Sequence, residues 1–324
     1  MRGLSVGAPY VKSGPSASAM LNQTLAALAA MLIVPTVRYG ARPAAMAVMA
    51  VLTCAACEAF CSLMRYGKIR IDDSSFAVTG LTAVMLTPVN APVWLPCAAC
   101  AAAQLAAKAP FGRYGRPPFN IAAVAGAFAA LCWPSESFTY MDPAKPFTLP
   151  PFGACEYTAA VSPAAVLKNG LKPDVQPLDM LWGTGVGAIG TTAALVIAAC
   201  GLFLFIRRAA SLETTVSFLL VCALLAAFFP RIACSPLTSV KYELLSGSLL
   251  FCSVFMVTDP STSPKTFAGR CVYGALAGGL LMAVRYFGAF GQGACFAVLL
   301  ADAAVPLIDN FSFKTVTVFG RRSV

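Results

Sequence analysis

Residues 246–263 read SGSLLFCSVFMVTDPSTS, and residues 74–91 read SSFAVTGLTAVMLTPVNA. Each stretch begins with small hydroxyl residues, continues as a short apolar run, and stops at a Thr that is closely followed by a Pro. Proline ends a helix because it has no N–H donor and its ring clashes with the preceding turn. The two stretches therefore predict two short helices that stop within an otherwise apolar chain.

The composition of the whole chain places these helices in a membrane. Apolar residues make up 59% of the sequence and charged residues only 11%, whereas soluble domains are about 25% charged. Lipid must therefore act as solvent for much of the surface, and only helices or closed barrels satisfy the backbone there. We predict an all-α polytopic membrane protein.

Apolar runs long enough to span a bilayer, or to do so with help from neighbouring helices, divide the chain. We predict ten such segments, at residues 20–37, 43–64, 75–90, 92–108, 118–133, 182–206, 214–230, 243–258, 267–285 and 289–309. They form a first membrane half (1–133) and a second membrane half (182–324). Between them lies a long extracytosolic loop (134–181) that is rich in Pro and Asp.

The two proline-stopped stretches occupy matching positions, each being the third segment of a five-segment half. A half with an odd number of spans must insert upside down when it is repeated, so the pattern favours a 5+5 inverted repeat. In such folds, matching interrupted helices mark the central site, because their ends expose backbone dipoles there. Chance agreement between two Thr-Pro endings is the competing explanation.

The net charge of +10 is explained without a nucleic-acid partner. The Lys and Arg residues lie in short loops between apolar segments, as the positive-inside rule describes. Their distribution predicts that both termini are cytoplasmic. The first eighteen residues lack a continuous apolar core, so we expect no cleaved signal peptide.

The thirteen cysteines permit two interpretations. Cys54, Cys57 and Cys61 share a helix face, and Cys97 and Cys100 form CAAC, a spacing at which thiolates can bind a metal. Both groups are embedded in alanine, however, and the chain contains no histidine. Small, soft side chains that let membrane helices approach closely are the favoured interpretation.

Four stretches in a fixed order carry a family resemblance. They are residues 73–96 (DSSFAVTGLTAVMLTPVNAPVWLP), 108–128 (KAPFGRYGRPPFNIAAVAGAF), 185–205 (GVGAIGTTAALVIAACGLFLF), and 255–279 (FMVTDPSTSPKTFAGRCVYGALAGG) with VPLIDN at 305–310. Over most of its length the chain resembles the RnfD/NqrB family. This family comprises the RnfD subunit of the Rnf-type electron transport complex and the related NqrB subunit of the sodium-pumping NADH:quinone oxidoreductase.

The resemblance implies a flavin-bearing subunit in the bacterial inner membrane. It implies a complex that passes electrons between ferredoxin and NAD and couples this to Na⁺ or H⁺ translocation. The implied partners are the other membrane subunits of that complex (A, E, G and C), together with a flavin-transferase enzyme that attaches FMN.

The same resemblance implies a candidate site for covalent FMN. The family links FMN through a phosphoester to the Thr of an Asp-x-x-Ser/Thr-Gly-Ala-Thr motif that is usually followed by Pro. Aligned on Pro163, this chain has Glu156 in place of the Asp and Ser162 in place of the acceptor Thr. Positions 159–161 depart from the motif and the glycine is lost, so a loop without covalent flavin is the alternative. A second departure is Thr191, which lies in a stretch where the family usually has Glu before Thr.

Three further residues are candidates for holding a second, non-covalent flavin such as riboflavin. Asn120 follows a basic loop, and it can cap a helix or bond a flavin edge. Thr258 and Asp259 end the second proline-stopped helix. The Asp259 carboxylate can accept N–H bonds of the following turn, and the resemblance implies a flavin beside it.

Acidic residues within spans are costly and are functional hypotheses by default. Glu58 lies in the second segment, and Asp302 and Asp309 lie in or near the last. Asp302 is predicted either to pair with Arg285 or to face a polar cavity. Structural ion pairs explain these charges as well as an ion path does.

The chain shows no nucleophile–base pair and no general acid–base pair, so a complete active site within this chain alone is not expected. Two alternatives to a flavin-bearing subunit remain. One is a small-solute channel or transporter built on an inverted repeat, and the other is a flavin-free scaffold subunit of the same complex. Bound flavin distinguishes them.

Overall fold

The computed structural model describes residues 16–69, 73–111, 117–142, 149–153, 158–232, 234–288 and 292–320, with side chains described as far as residue 311. The described part of the chain is largely helical. Its α-helices are α1 (Ala17–Tyr39), α2 (Arg42–Tyr66), α3 (Ser75–Met85), α4 (Trp94–Ala103), α5 (Ile121–Cys132), α6 (Pro134–Phe138), α7 (Pro163–Lys168), α8 (Pro177–Trp182), α9 (Ala194–Ile206), α10 (Leu212–Phe228), α11 (Pro236–Leu245), α12 (Leu249–Phe251), α13 (Phe267–Phe287) and α14 (Ala294–Gly320).

Two π-helical turns and one strand pair complete the elements of the described chain. The π-helical turns are Gln104–Lys108, which continues α4, and Cys252–Met256, which continues α12. The strands β1 (Tyr140–Met141) and β2 (Ala159–Ala160) pair antiparallel.

The architecture is that of a polytopic membrane protein. Four described helices are long and apolar enough to cross a membrane, namely α1, α2, α13 and the Ala294–Phe311 part of α14. Shorter apolar helices are α3, α5, α9 and α10. These eight helices overlap eight of the ten segments predicted from the sequence.

The helix ends lie at two faces of the molecule. We call the face at which α1, α3 and α5 begin the N face, and the other the opposite face. At the N face, the Ser74 hydroxyl donates to Asn22 Oδ1 over 2.8 Å. At the opposite face, the buried guanidinium of Arg42 donates to the carbonyls of Val89 and Ala91, each over 2.9 Å. Arg42 therefore fastens the start of α2 to the turn that follows α3.

α3 is a short helix whose residues are nearly all buried. It packs against α1, α2, α4 and α5. Gly80 allows α2 to approach closely, because a Cβ at this position would lie 3.1 Å from the backbone of Val51. The helix stops at Met85, three residues before Pro88, so the proline marks the stop, although the predicted third segment ran to residue 90.

The start of the sixth predicted segment was wrong. The prediction placed a helix from residue 182, but α9 begins at Ala194. The intervening glycine-rich chain runs along the end of α3, where the N–H of Ile189 donates to Thr87 O over 3.0 Å and the N–H of Gly190 donates to Met85 O over 2.8 Å. These residues supply donors to the last carbonyls of α3, which a helix end leaves unpaired, and for that reason they are not helical.

The eighth predicted segment, at 243–258, is also not one continuous helix. α11 ends at Leu245, and the chain turns at Gly247 in the left-handed conformation, with φ of 63°. A side chain at that φ is strained, so glycine is the residue that permits the turn. The buried remainder of the segment consists of α12 and the Cys252–Met256 turn. The helical part of this segment is therefore shorter than predicted.

The long connection between the halves is folded in its described parts. It contains α6, the β1–β2 pair, α7 and α8. Leu167 and Met180 pack with Ile232 and Tyr242 into a small separate apolar cluster. The connection thereby packs on α11 at the opposite face instead of remaining an open loop.

The helices of the two halves make corresponding contacts. In the first half, α2 packs on α3 and α4, and α4 packs on α5; in the second half, α10 packs on the Cys252–Met256 turn and α13, and α13 packs on α14. Between the halves, α1 contacts α9 and α5 contacts α14. One apolar core runs through all of these helices.

Candidate binding site between two interrupted helices

A slot lies between α3 and the end of the Cys252–Met256 turn, near the N face. The starts of α1 and α5 and the end of α9 close its sides. Its cavity volume is about 50 Å³, and the empty space around it, including the part open to the outside, is about 720 Å³. Lining residues include Ser75, Val78, Thr79, Thr82, Phe119, Asn120, Leu204, Val254, Phe255, Thr258 and Asp259. The structure thus brings three residues singled out in the sequence, Asn120, Thr258 and Asp259, to one cavity.

Asn120 joins the two halves at this slot. Its Oδ1 accepts the backbone N–H groups of Ala122 and Ala123, over 3.0 and 3.3 Å, and so caps α5. Its Nδ2 donates to Met256 O over 3.1 Å, at the end of the π-helical turn. The side chain therefore fixes the start of α5 against the stop of the second interrupted helix.

The Thr258-Asp259-Pro260 stop forms the turn that the sequence predicted. Asp259 Oδ1 accepts the N–H of Ser261 over 3.0 Å, which is the expected Asx-type bond. Thr258 is buried, and its hydroxyl donates to Val254 O one helical turn earlier. Both residues shape the wall of the slot.

Of the two alternatives predicted for Asp302, pairing with Arg285 is wrong. Asp302 is 1% exposed, and its Oδ1 accepts the hydroxyl of Tyr273 over 2.6 Å while its Oδ2 accepts the backbone N–H of Asn120 over 2.8 Å. Arg285 instead donates to Glu243 Oε2 over 3.2 Å, and Arg231 binds the same carboxylate. Asp302 therefore lies directly behind Asn120, on the side away from the slot.

Glu58 has a partner that the sequence analysis missed. Lys108 Nζ lies 2.7 Å from Glu58 Oε2 and 2.8 Å from Ser75 Oγ. Ser75 in turn lines the slot. The position of Lys108 at the end of an apolar segment was the one sequence feature that could have indicated this pairing. The π-helical turn that orients its side chain has no sequence signature. Asp309, the third acidic residue, accepts the N–H of Lys265 over 3.4 Å.

The candidate attachment residue Ser162 lies elsewhere, within the connection at the opposite face. It is 5% exposed, and its hydroxyl oxygen accepts the N–H of Ala165 over 3.3 Å as the cap of α7. Glu156 lies outside the described residues. Thr191, the other departure from the family motifs, is buried and donates to Ala188 O over 3.2 Å.

Among the described residues, no group of three Cys, Asp or Glu is placed to hold a metal ion. Cys54 and Cys100 are fully buried between α2 and α4. All the described cysteines are free thiols. The buried positions of Cys54 and Cys100 agree with a role as small packing residues, whereas Cys132 is exposed.

An isoalloxazine ring has a flat apolar body and hydrogen-bonding atoms along its edge, and the residues that line the slot include groups of both kinds. Phe119, Leu204 and Phe255 provide apolar surface. Asn120 uses one Nδ2 hydrogen on Met256 O and retains a second donor, since an amide nitrogen carries two. An apolar cleft with a few placed polar groups is the usual form of a cofactor site. A flavin at Ser162 fits less well, because a phosphoester would need the buried side chain to become exposed.

A scan against protein families matches the model described as the NQR2, RnfD, RnfE family over residues 5–317. The match covers both halves and the connection between them.

Individual relatives match at similar length, and each is named as the D subunit of an ion-translocating complex. The protein of Tolumonas auensis, from an ion-translocating oxidoreductase complex, is 30% identical over 339 residues, covering 95% of this chain and 97% of that protein. The protein of Acetobacterium woodii, from a Na(+)-translocating ferredoxin:NAD(+) oxidoreductase complex, is 28% identical, covering 95% of this chain and 93% of that protein. A third relative, from Halorhodospira halophila, is 28% identical over 331 residues, covering 94% and 93%.

Proposed function

Because the chain belongs to the NQR2, RnfD, RnfE family, we propose that it is a membrane subunit of an Rnf-type ion-translocating oxidoreductase complex and holds a flavin in the central slot. The single observation that carries the flavin assignment is the convergence of Asn120, Thr258 and Asp259 on one mainly apolar cavity. When bound, a flavin supplies one- and two-electron transfer, while the protein orients the ring and tunes it.

The residues of the slot have distinct parts in this proposal. Phe119 and Phe255 hold the flat ring and exclude water. Asn120 presents a hydrogen-bond donor to its edge, and the bond to Met256 O keeps that amide in one orientation. The ring is held without a covalent bond, as in a riboflavin or FMN site.

The proposed membrane arrangement is ten spans in a 5+5 inverted repeat. Support comes from the two interrupted helices, both short and buried, and from the corresponding contacts in the two halves. The distribution of basic residues supports cytoplasmic termini in a bacterial inner membrane. The N face is then cytoplasmic, and the connection between the halves is extracytosolic.

Covalent FMN on Ser162 is a separate proposal with weaker support. The hydroxyl is at the predicted place, and Ser can form the phosphoester that the family forms on Thr. The buried position of Ser162 and the loss of the glycine require the 158–162 stretch to open before a flavin transferase reaches it.

The electron donor, the electron acceptor and the translocated ion are proposed from the name of a relative. The Acetobacterium woodii protein is named for ferredoxin, NAD⁺ and Na⁺, and we propose the same class of reaction here, with Na⁺ or H⁺ as the ion. The partners are the other subunits of the complex (A, E, G and C), which would carry the ferredoxin and NAD sites.

The experiment is to purify the chain from a host that expresses the other subunits and to measure flavin fluorescence after denaturation. We expect free flavin from the wild type and about tenfold less from Asn120→Ala, which loses a ring contact and the cap. Asn169→Ala, an exposed asparagine outside the slot, is the matched control and should retain flavin.

Mass spectrometry of the 146–172 peptide tests covalent attachment separately, since an added FMN mass should disappear in Ser162→Ala. A wild-type protein without any flavin contradicts the proposal. Co-purification with the other subunits would then favour the flavin-free scaffold, and its absence would favour the solute channel.

A further inference from the structure

A charged pair, formed by buried Lys108 and partly exposed Glu58, contacts a residue that lines the slot. Lys108 is 5% exposed, and its ammonium group lies between the Glu58 carboxylate at 2.7 Å and the Ser75 hydroxyl at 2.8 Å. These residues come from the end of the π-helical turn that continues α4, the second half of α2 and the start of α3. The contact therefore joins three helices at the point where the slot meets the N face.

The π-helical turn Gln104–Lys108 brings the ammonium group to this point. A π-helical turn adds a residue to the helix and redirects the side chains that follow, and such turns occur often at functional sites. The second π-helical turn, Cys252–Met256, provides Val254 and Phe255 on the opposite wall. The second turn therefore lines the slot, and the first contacts it through the bond from Lys108 to Ser75.

Among the described residues, no protein group accepts a hydrogen bond from the Ser75 hydroxyl. Its oxygen accepts from Lys108, and within the described residues its hydroxyl hydrogen has no acceptor. The residue is 3% exposed and lines the slot. A buried hydroxyl normally satisfies its donor, so a ligand in the slot is the natural acceptor.

A purely structural role explains the pair less well. Burying the Lys108 ammonium costs free energy that its attraction to the partly exposed Glu58 carboxylate does not always offset, and apolar side chains can often replace a buried charge pair without loss. The Lys108 charge can also act on the slot. It polarises the Ser75 hydroxyl, which lies between the ammonium group and the slot, and so strengthens a hydrogen bond that this hydroxyl donates.

We propose that Ser75, polarised by Lys108, donates a hydrogen bond to an edge atom of the ring in the slot, and that the Glu58–Lys108 charge balance sets how strongly the slot favours the reduced ring. This inference rests on the proposed flavin. Glu58 offsets the positive charge of Lys108, so the pair as a whole does not strongly favour either the oxidised or the reduced form of the ring. Other charged or ionisable groups near the pair are Cys54, Cys61 and Arg65 on α2.

The test compares two variants whose effects should have opposite signs. Ser75→Ala removes the donor, so the midpoint potential of the bound flavin should fall and riboflavin should bind about tenfold more weakly, as expected for one lost hydrogen bond. Glu58→Gln keeps a hydrogen-bond acceptor for Lys108 but removes its counter-charge, so the midpoint potential should rise.

Two further variants serve as controls. Ser75→Thr keeps a hydroxyl and should restore potential and affinity. Ser62→Ala removes a buried hydroxyl that donates to Lys68 O near the same face, away from the slot, and should change neither. If Glu58→Gln does not accumulate in the membrane, the double variant Glu58→Gln with Lys108→Gln removes both charges, and its potential should fall.

The measurements are a spectroelectrochemical titration of the purified protein and a fluorescence titration with added riboflavin. Unchanged values in Ser75→Ala, or shifts of the same sign in Ser75→Ala and Glu58→Gln, overturn this inference while leaving the bound flavin in place. A wild-type protein that neither contains nor binds flavin overturns the proposed function and this inference together.

Discussion

At the scale of single residues, Asn120 connects three elements next to the slot. Its side chain caps α5 and bonds Met256 O, and its backbone N–H donates to Asp302. Each bond comes from a different element, so the amide has one orientation. A donor fixed in this way can recognise a ring edge without losing rotamer entropy on binding.

The corrected pairing of Asp302 leads to a prediction for a double-mutant cycle. Tyr273→Phe and Asp302→Asn should show a coupling free energy of about 1 kcal/mol, because residues that share a hydrogen bond are not additive. Arg285→Lys and Asp302→Asn should add within about 0.5 kcal/mol. Arg285 lies twelve residues beyond Tyr273 on α13, which places it roughly 18 Å away along the helix.

Free energies of unfolding from chemical denaturation in mixed micelles provide this comparison. A coupling of Asp302 with Arg285 as large as its coupling with Tyr273 would contradict the hydrogen bonds described above.

At the scale of secondary-structure elements, the end of α3 depends on the glycine-rich chain before α9. The N–H groups of Ile189 and Gly190 pair with carbonyls at the end of α3. This approach is close, because a Cβ at Gly190 would lie 2.5 Å from the Met85 Cβ. The interruption of α3 is thereby stabilised by the second half of the molecule.

We expect Gly190→Ala to lower the free energy of unfolding by about 1–3 kcal/mol, the usual cost of overpacking a close contact. The matched control is Gly279→Ala on α13, where a Cβ would meet nothing within 4 Å. Helix propensity favours Ala over Gly there by up to about 1 kcal/mol, so stability should be unchanged or raised. The same denaturation experiment measures both variants, and equal losses would argue against the described contact.

At the scale of the whole molecule, the two faces should lie on opposite sides of the membrane. Alkaline phosphatase inserted at the exposed residues 169–171 should be active, because this enzyme requires an extracytosolic position. A fluorescent protein fused after residue 324 should fluoresce, because it folds in the cytoplasm. The reverse result for both fusions would mean that the proposed orientation is inverted.

The sequence by itself determined the membrane class and the position of nearly every apolar helix. It also determined where α3 and the Cys252–Met256 turn stop, since hydropathy and proline act over a few neighbouring residues. It located Asn120, Thr258 and Asp259 because caps and Asx turns are local chemistry.

Only the tertiary structure decided which partners those residues have. Asp302 bonds Asn120 and Tyr273 instead of Arg285, Lys108 reaches Glu58 and Ser75, and α9 begins twelve residues later than predicted. Each of these facts depends on groups brought together from distant parts of the chain. Hydrophobic burial positions the helices, and the pairing of buried polar groups then follows from which donors and acceptors the packing places within reach.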